Sequence, residues 1–229
     1  MRTKSRARQV RLVVIGAHHL FPTALSLAPR SELLLVLMTG VSPGSLGAEA
    51  ALQIARHGAN LLILTGRSMP KLKDTESQIK SGVSDAHIRL LELDLASQKQ
   101  IRKAAEEVNQ YPEPINVLIN SAAIMAAPYS RTQDGLESQF GTNHIGHFLF
   151  TNLIMEKILA AGKGARIVNV SSAGHRRSPI RFDDYNWGVS SDCIVTFKST
   201  DKYSRTVRLM ISGVPTGKER QRTFCSPWN

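Results

Sequence analysis

From residue 33 onward, short uninterrupted apolar runs alternate with longer stretches in which apolar residues return at helical spacing. The first run is Leu33-Leu34-Leu35-Val36-Leu37-Met38. A Gly-rich stretch follows, and residues 48–57 then place Ala51, Leu52 and Ala55 on one helical face. That order reads as strand, turn and helix. Further strands are predicted at Leu61-Leu62-Ile63-Leu64, residues 88–93, Val117-Leu118-Ile119 and Ile167-Val168-Asn169-Val170, with helices over residues 70–81, 98–110 and 135–161. Strands that are apolar throughout, separated by amphipathic helices, predict an α/β fold with a doubly wound parallel sheet covered on both faces. After Trp187 the rhythm stops. Residues 189–229 hold no sustained period of 2 or 3.6 and read as irregular.

Charge changes this picture little. The 29 Lys and Arg against 18 Asp and Glu give a net +11 over 229 residues, which on its own suggests a polyanionic partner. The excess, however, sits at the ends. Residues 1–31 carry Arg2, Lys4, Arg6, Arg8, Arg11 and Arg30 with no acid, residues 189–229 carry seven bases against three acids, and residues 32–188 net only +1. Nucleic-acid binding is therefore not the expectation for the α/β segment. Cys193 and Cys225 are the only cysteines and neither stands in a Cys-x-x-Cys, so a disulfide scaffold or thiolate zinc site is not expected. The apolar stretch over residues 10–28 is broken by Arg11, His18, His19 and Pro22, which argues against a spanning helix. The acid-free start fits either a disordered basic tail over residues 1–32 of a cytoplasmic protein, the reading adopted, or a mitochondrial presequence or signal peptide.

Candidate chemistry begins at Thr39-Gly40-Val41-Ser42-Pro43-Gly44-Ser45-Leu46-Gly47, between the first strand and the first helix. Glycines there let the backbone turn sharply and approach a pyrophosphate, which free N–H groups at the helix N-terminus then stabilise. A tight turn without a ligand has the same composition; its position straight after a buried strand favours the phosphate site. Thr65-Gly66-Arg67-Ser68 ends the second strand, where an acid would bind an adenosine ribose 2′-hydroxyl and a base a 2′-phosphate. Arg67 is a base, so NADP is the expected cofactor; a solvated surface arginine is the alternative.

These residues resemble the classical short-chain dehydrogenase/reductase family, in its retinol-dehydrogenase-like and WW-domain-oxidoreductase-like branch of fungal type. The resemblance covers residues 33–188. It rests on the cofactor turn, Asp94-Leu95, Asn120-Ser121-Ala122-Ala123, Gly141-Thr142-Asn143-His144-Ile145-Gly146-His147-Phe148 and Arg166-Ile167-Val168-Asn169-Val170-Ser171-Ser172, five motifs in order. It implies a Rossmann-like domain in which Gly40, Ser42, Gly44, Leu46, Gly47 and Arg67 contact the cofactor. Asp94 would hydrogen-bond the adenine amino group, and Asn120 would lie against the adenosine ribose and brace the sheet. Asn143 would hold a water of the proton relay, and Ser172 would polarise the carbonyl or hydroxyl of a small-molecule substrate. Hydride transfer to a carbonyl builds negative charge on oxygen, which calls for oriented donors and a proton source. The complete family form is expected as a homo-oligomer. Two departures are visible: the turn reads GxxxGxxG rather than GxxxGxG, and the family's NNAG is NSAA here. Residue by residue, Asp94 could instead cap the next helix, Asn143 could be a polar mid-helix residue, and Ser171-Ser172 an ordinary strand exit.

The family's acid/base is a Tyr with a Lys four residues later, a spacing that puts both on one helical face where the cation favours phenolate. Position +4 from Tyr111, Tyr129, Tyr185 and Tyr203 holds Ile115, Gln133, Val189 and Val207. The pair is absent, so impaired activity is expected, with a non-catalytic NADP-binding or partner-binding protein as the alternative. The codons offer a reason. Val189-Ser190 can be encoded by the splice-donor form GTAAGT, Thr200-Asp201 by the branch form ACTGAC, and Ser204-Arg205 can close on an acceptor AG. Read one frame over, Arg205 to Gly213 can encode DGKTYDKW, and the codons up to Asn229 permit AYGQ followed by Arg or Gly and KTANILFSLE. Residues 189–229 are accordingly expected to be intron-derived and then out of frame, which would leave the sheet incomplete after its fifth strand with an uncovered edge. His144-x-x-His147 matches no metal motif such as HExxH, and no metal is expected. His175-Arg176-Arg177 reads as a solvated basic turn or a mouth for an acidic group.

Overall fold

The computed structural model describes residues 10–16, 34–125, 127–172 and 184–186. In chain order these form β1 (Arg11–Gly16), β2 (Leu35–Thr39), α1 (Leu46–Arg56), β3 (Leu61–Gly66), α2 (Met69–Gly82), β4 (Ile88–Glu92), α3 (Gln98–Gln110) and β5 (Val117–Asn120). A long helical segment follows as α4 (Ser138–Phe140), a π-helical turn (Gly141–Gly146), α5 (His147–Leu153) and α6 (Met155–Ala160), before β6 (Arg166–Ser171). All paired strands are parallel, in the order β1-β6-β5-β2-β3-β4.

The apolar strand runs work on both faces. Val36 and Met38 of β2 join Ala50, Ala51 and Ile54 of α1 and Leu72 and Ile79 of α2 on one side. Leu35 and Leu37 join Ile101, Ala105 and Val108 of α3 and Phe150, Ile154 and Ile158 of the long helical segment on the other. Alternate residues of a strand face opposite sides, so a strand apolar at every position builds both core layers. Each such large side chain, fully buried, contributes about 1.5–3 kcal/mol. Polar residues set the helix starts. The side chains of Ser45 and Ser97 accept from the amides of Ala48 and Gln100, and the two carboxylate oxygens of buried Glu137 take the amides of Gln139 and Phe140. These satisfy donors that an opening helical turn cannot.

Within the segment read as a tail over residues 1–32, residues 11–16 need correction, and with them the bare edge expected beyond the fifth strand. Residues Arg11–Gly16 pair with Arg166–Ser171 in continuous register, Leu12 opposite Ile167 and Val13 opposite Val168. The physical reason is in the residues: Leu12-Val13-Val14-Ile15 is an apolar run with three β-branched residues, and pairing it with β6 satisfies backbone groups that would otherwise line an open edge. The other five strands and the four helical stretches lie where the sequence places them, within a few residues. The irregular segment 189–229 and His175-Arg176-Arg177 lie outside the described residues.

Candidate functional site

The chain leaves β2 toward β3 on one side and later fills β5 and β6 on the other, so the direction of winding reverses between β2 and β5. In open parallel sheets this reversal leaves a crevice at the C-terminal strand ends. A cavity of about 460 Å³ lies there. Thr39 and Gly40 at the end of β2, Gly66 and Arg67 at β3, Ser121 to Ile124 after β5, and Ser171 and Ser172 at β6 line it, with Asn143 from the π turn.

The turn after β2 is shaped by contact. Gly40 has φ +77°, and a Cβ on it would stand 2.6 Å from the Ala122 backbone; a Cβ on Gly47 would stand 2.3 Å from the Gly40 carbonyl oxygen. Neither position admits a side chain, which brings bare backbone to the cleft at the start of α1. Ser45 Oγ donates to the Gly40 carbonyl at 3.0 Å while accepting from Ala48, tying turn to helix. Ser42, Leu46 and Gly47 share the cavity wall. Thr65 Oγ1 and Ser171 Oγ, on the same wall, are buried with no hydrogen-bond partner among the described residues. A glycine cradle at a helix N-terminus, orphaned hydroxyls and an exposed Arg67 fit the phosphate and ribose groups of a dinucleotide.

The structure thus brings Gly40, Ser42, Leu46, Gly47, Arg67, Asn143 and Ser172 to one cleft. It places the other three elsewhere. Gly44, at φ +72°, turns the loop in open space beside α1. Half-buried Asp94 accepts from the Ala96 amide at 2.9 Å, an Asx turn leading into the Ser97 cap, while its neighbours Leu93 and Leu95 reach the cleft. Asn120 ties β5 to β6. Its Nδ2 donates to Asn169 Oδ1 on β6 at 2.8 Å and to Thr151 Oγ1 at 3.2 Å, and it faces a second cavity of about 300 Å³ with Asn169 and Thr151.

Two residues without a predicted role complete the site. Thr39 Oγ1 accepts from the amides of Ser121 and Ala122, each at 3.0 Å, and lies 2.9 Å from Nε2 of buried His147. Burial pushes the His147 imidazole down to about 4, with the nearby His144 acting in the same direction and the Asn143 carbonyl opposing. Asn143 grips the loop beyond, accepting the Ile124 amide and donating to the Ile124 carbonyl, both at 2.8 Å. In sequence His147 stood out for its spacing from His144 and as part of the Gly141–Phe148 motif, with no role of its own. Among the described residues no group of three or more His, Cys, Asp or Glu could hold a metal, and no helix is long and apolar enough to cross a membrane. None of the described tyrosines lines the cleft. Tyr111 donates to Glu107 beneath the Arg89 guanidinium, and burial, foremost, raises its phenol far above the ordinary value.

Residues 34–186 match the family model described as short chain dehydrogenase. Over 152 residues the chain is 42% identical to retinol dehydrogenase 13 of Homo sapiens, covering 66% of this chain and 45% of that protein. It is 34% identical over 162 residues to oxidoreductase fscI of Fusarium equiseti, covering 69% and 63%. Among solved structures, an uncharacterized protein from Mycobacterium Paratuberculosis superposes with TM-score 0.64 at 33% identity, over 80% of this chain and 60% of that one. A short-chain dehydrogenase from Sphingobium yanoikuyae in complex with NADPH has the same fold, with TM-score 0.58 at 19% identity over 78% and 62%. The chain spans about half the length of the retinol dehydrogenases it matches. Sheet order, glycine cradle and family match agree: the chain belongs to the short-chain dehydrogenase family.

Proposed function

We propose that the cleft binds NADP(H) and that the chain is the cofactor-binding part of an oxidoreductase interconverting an alcohol and a carbonyl. The observation that carries this reading is the contact between Gly40 and Ala122, which leaves only backbone at the head of α1, beside Arg67 on the rim. The Gly40–Gly47 turn and the first amides of α1 would hold the pyrophosphate, and Arg67 the 2′-phosphate. The cofactor supplies or removes a hydride. Ser172 would donate a hydrogen bond to the substrate oxygen as charge develops there, and Asn143, whose side chain fixes Ile124, would present its backbone to a relay water. Titration of the purified chain with NADPH and NADH, followed by fluorescence, tests this: NADPH should bind at least tenfold more tightly, and equal or undetectable binding of both rejects it.

The absence of any Tyr with Lys four residues on favours binding without efficient turnover in this chain, and gives weight to a non-catalytic cofactor-binding role as the second reading. Codon degeneracy lets residues 205–229, read one frame over, encode a stretch containing such a pair, and this supports a message in which codons 189–204 are intron. Sequencing of the transcript across codons 185–210 decides between the two. A spliced message restores the pair, whereas a message colinear with the chain, or a stop in the shifted frame, rejects the intron.

A further inference from the structure

We infer that His147 is a positioning residue for the cleft: its neutral ring aims the Thr39 hydroxyl, and through it fixes the backbone of Ser121 and Ala122 against Gly40. The consequence for cofactor affinity rests on the reading of the cleft given above; the positioning itself does not.

The proton inventory leaves one arrangement. His147 Nδ1 lies 2.9 Å from the backbone oxygen of Asn143, which can only accept, so Nδ1 carries the ring proton. In the neutral imidazole Nε2 is then a lone pair, and the Thr39 hydroxyl 2.9 Å away must donate to it. That leaves two lone pairs on Thr39 Oγ1, and both are taken, by the amides of Ser121 and Ala122 at 3.0 Å each. Every donor and acceptor in the set is used once. Turning the hydroxyl proton toward the loop would face it against an N–H and abandon Nε2.

The π turn makes the ring available for this. The backbone N–H of His147 bonds to the His144 oxygen rather than to Asn143, and the ring takes the Asn143 oxygen in its place. The same helical turn grips residue 124 through the Asn143 side chain, so the loop 121–124 is held at both ends. The tolerance is small. Ala122 Cα lies 2.6 Å from where a Gly40 Cβ would stand, and a loop released by even a fraction of an ångström would reshape the backbone facing the cleft. The depressed basicity of the ring agrees with a neutral state.

The test compares His147→Gln, whose side-chain oxygen can reach the Nε2 position and accept from Thr39, with His147→Asn, which is too short to do so. Amide hydrogen exchange of Ser121 and Ala122 is read against Leu62 and Leu64 of β3. In His147→Asn the two loop amides should exchange about tenfold faster while β3 is unchanged, and His147→Gln should return them to within about threefold of the parent. NADPH dissociation constants should follow the same order. Unchanged loop exchange in His147→Asn, acceleration spread equally over β3, or no difference between Gln and Asn would overturn the positioning role. Altered exchange with unaltered NADPH affinity would overturn its link to the cofactor. If the parent chain binds no NADPH, the cofactor reading falls while the exchange comparison still decides the role of His147.

Discussion

The ring Nε2 of His147 stands 2.9 Å from the hydroxyl of Thr39, the last residue of β2, and so bonds the long helical segment to the strand that feeds the Gly40–Gly47 turn. Both residues are buried, and the arrangement has room for one ring proton only. Because burial holds the folded-state basicity near 4, below the ordinary 6.5, the unfolded chain takes up a proton first as pH falls. The contribution of this ring to stability is complete above about pH 6.5 and is lost as pH falls toward 4, by up to about 3 kcal/mol. Urea melts at pH 7 and pH 4.5 should show the fall, and His147→Gln should flatten that part of the profile.

The turn glycines should separate by contact rather than by backbone angle. Gly40 and Gly44 both have positive φ, +77° and +72°. A Cβ on Gly40 meets Ala122, however, whereas one on Gly44 meets nothing within 4 Å. Gly44→Ala should cost about 1–2 kcal/mol and leave NADPH affinity within about threefold. Gly40→Ala must displace the loop as well and should weaken NADPH at least about tenfold. Thermal melts and fluorescence titrations of the two variants check this.

Arg67 is exposed at the end of β3, where it costs the fold little to change. Arg67→Glu should weaken NADPH by at least about tenfold through lost attraction and added repulsion while NADH changes by less than about threefold. Melting temperatures should stay within a degree or two. Equal weakening of both cofactors would place the arginine away from the 2′-position.

The sheet and the turn were readable because each is local. A strand apolar at every position must be covered twice, and the glycines of residues 40–47 stand immediately between strand and helix. What could not be read depends on distance along the chain. The spacing of His144 and His147 matches no motif, and the Thr39 hydroxyl that His147 meets lies 108 positions earlier. A local Asx turn uses one carboxylate oxygen of Asp94, and the bond from Asn120 that braces the sheet reaches Asn169, 49 positions on. The strand Arg11–Gly16 is flanked by charge and proline, which suit a tail, and its pairing partner is far downstream.

That strand makes a prediction of its own. A chain lacking residues 1–16 would present β6 as an open edge. It should melt at lower temperature and self-associate, visible as a larger mass by light scattering. An unchanged melt and mass would mean that β1 contributes nothing to the sheet.

Arg11 and Arg166 face each other across β1 and β6 although 155 positions separate them. At about 5–20 residues per second, a ribosome needs roughly 10–30 s to deliver the second after the first. Among the described strands, β1 can therefore join the sheet only once β6 has been made, and Leu12-Val13-Val14-Ile15 has no strand partner while β2 to β5 assemble. For that interval the nascent chain carries a sticky apolar segment, the species on which a chaperone or a neighbouring nascent chain would act.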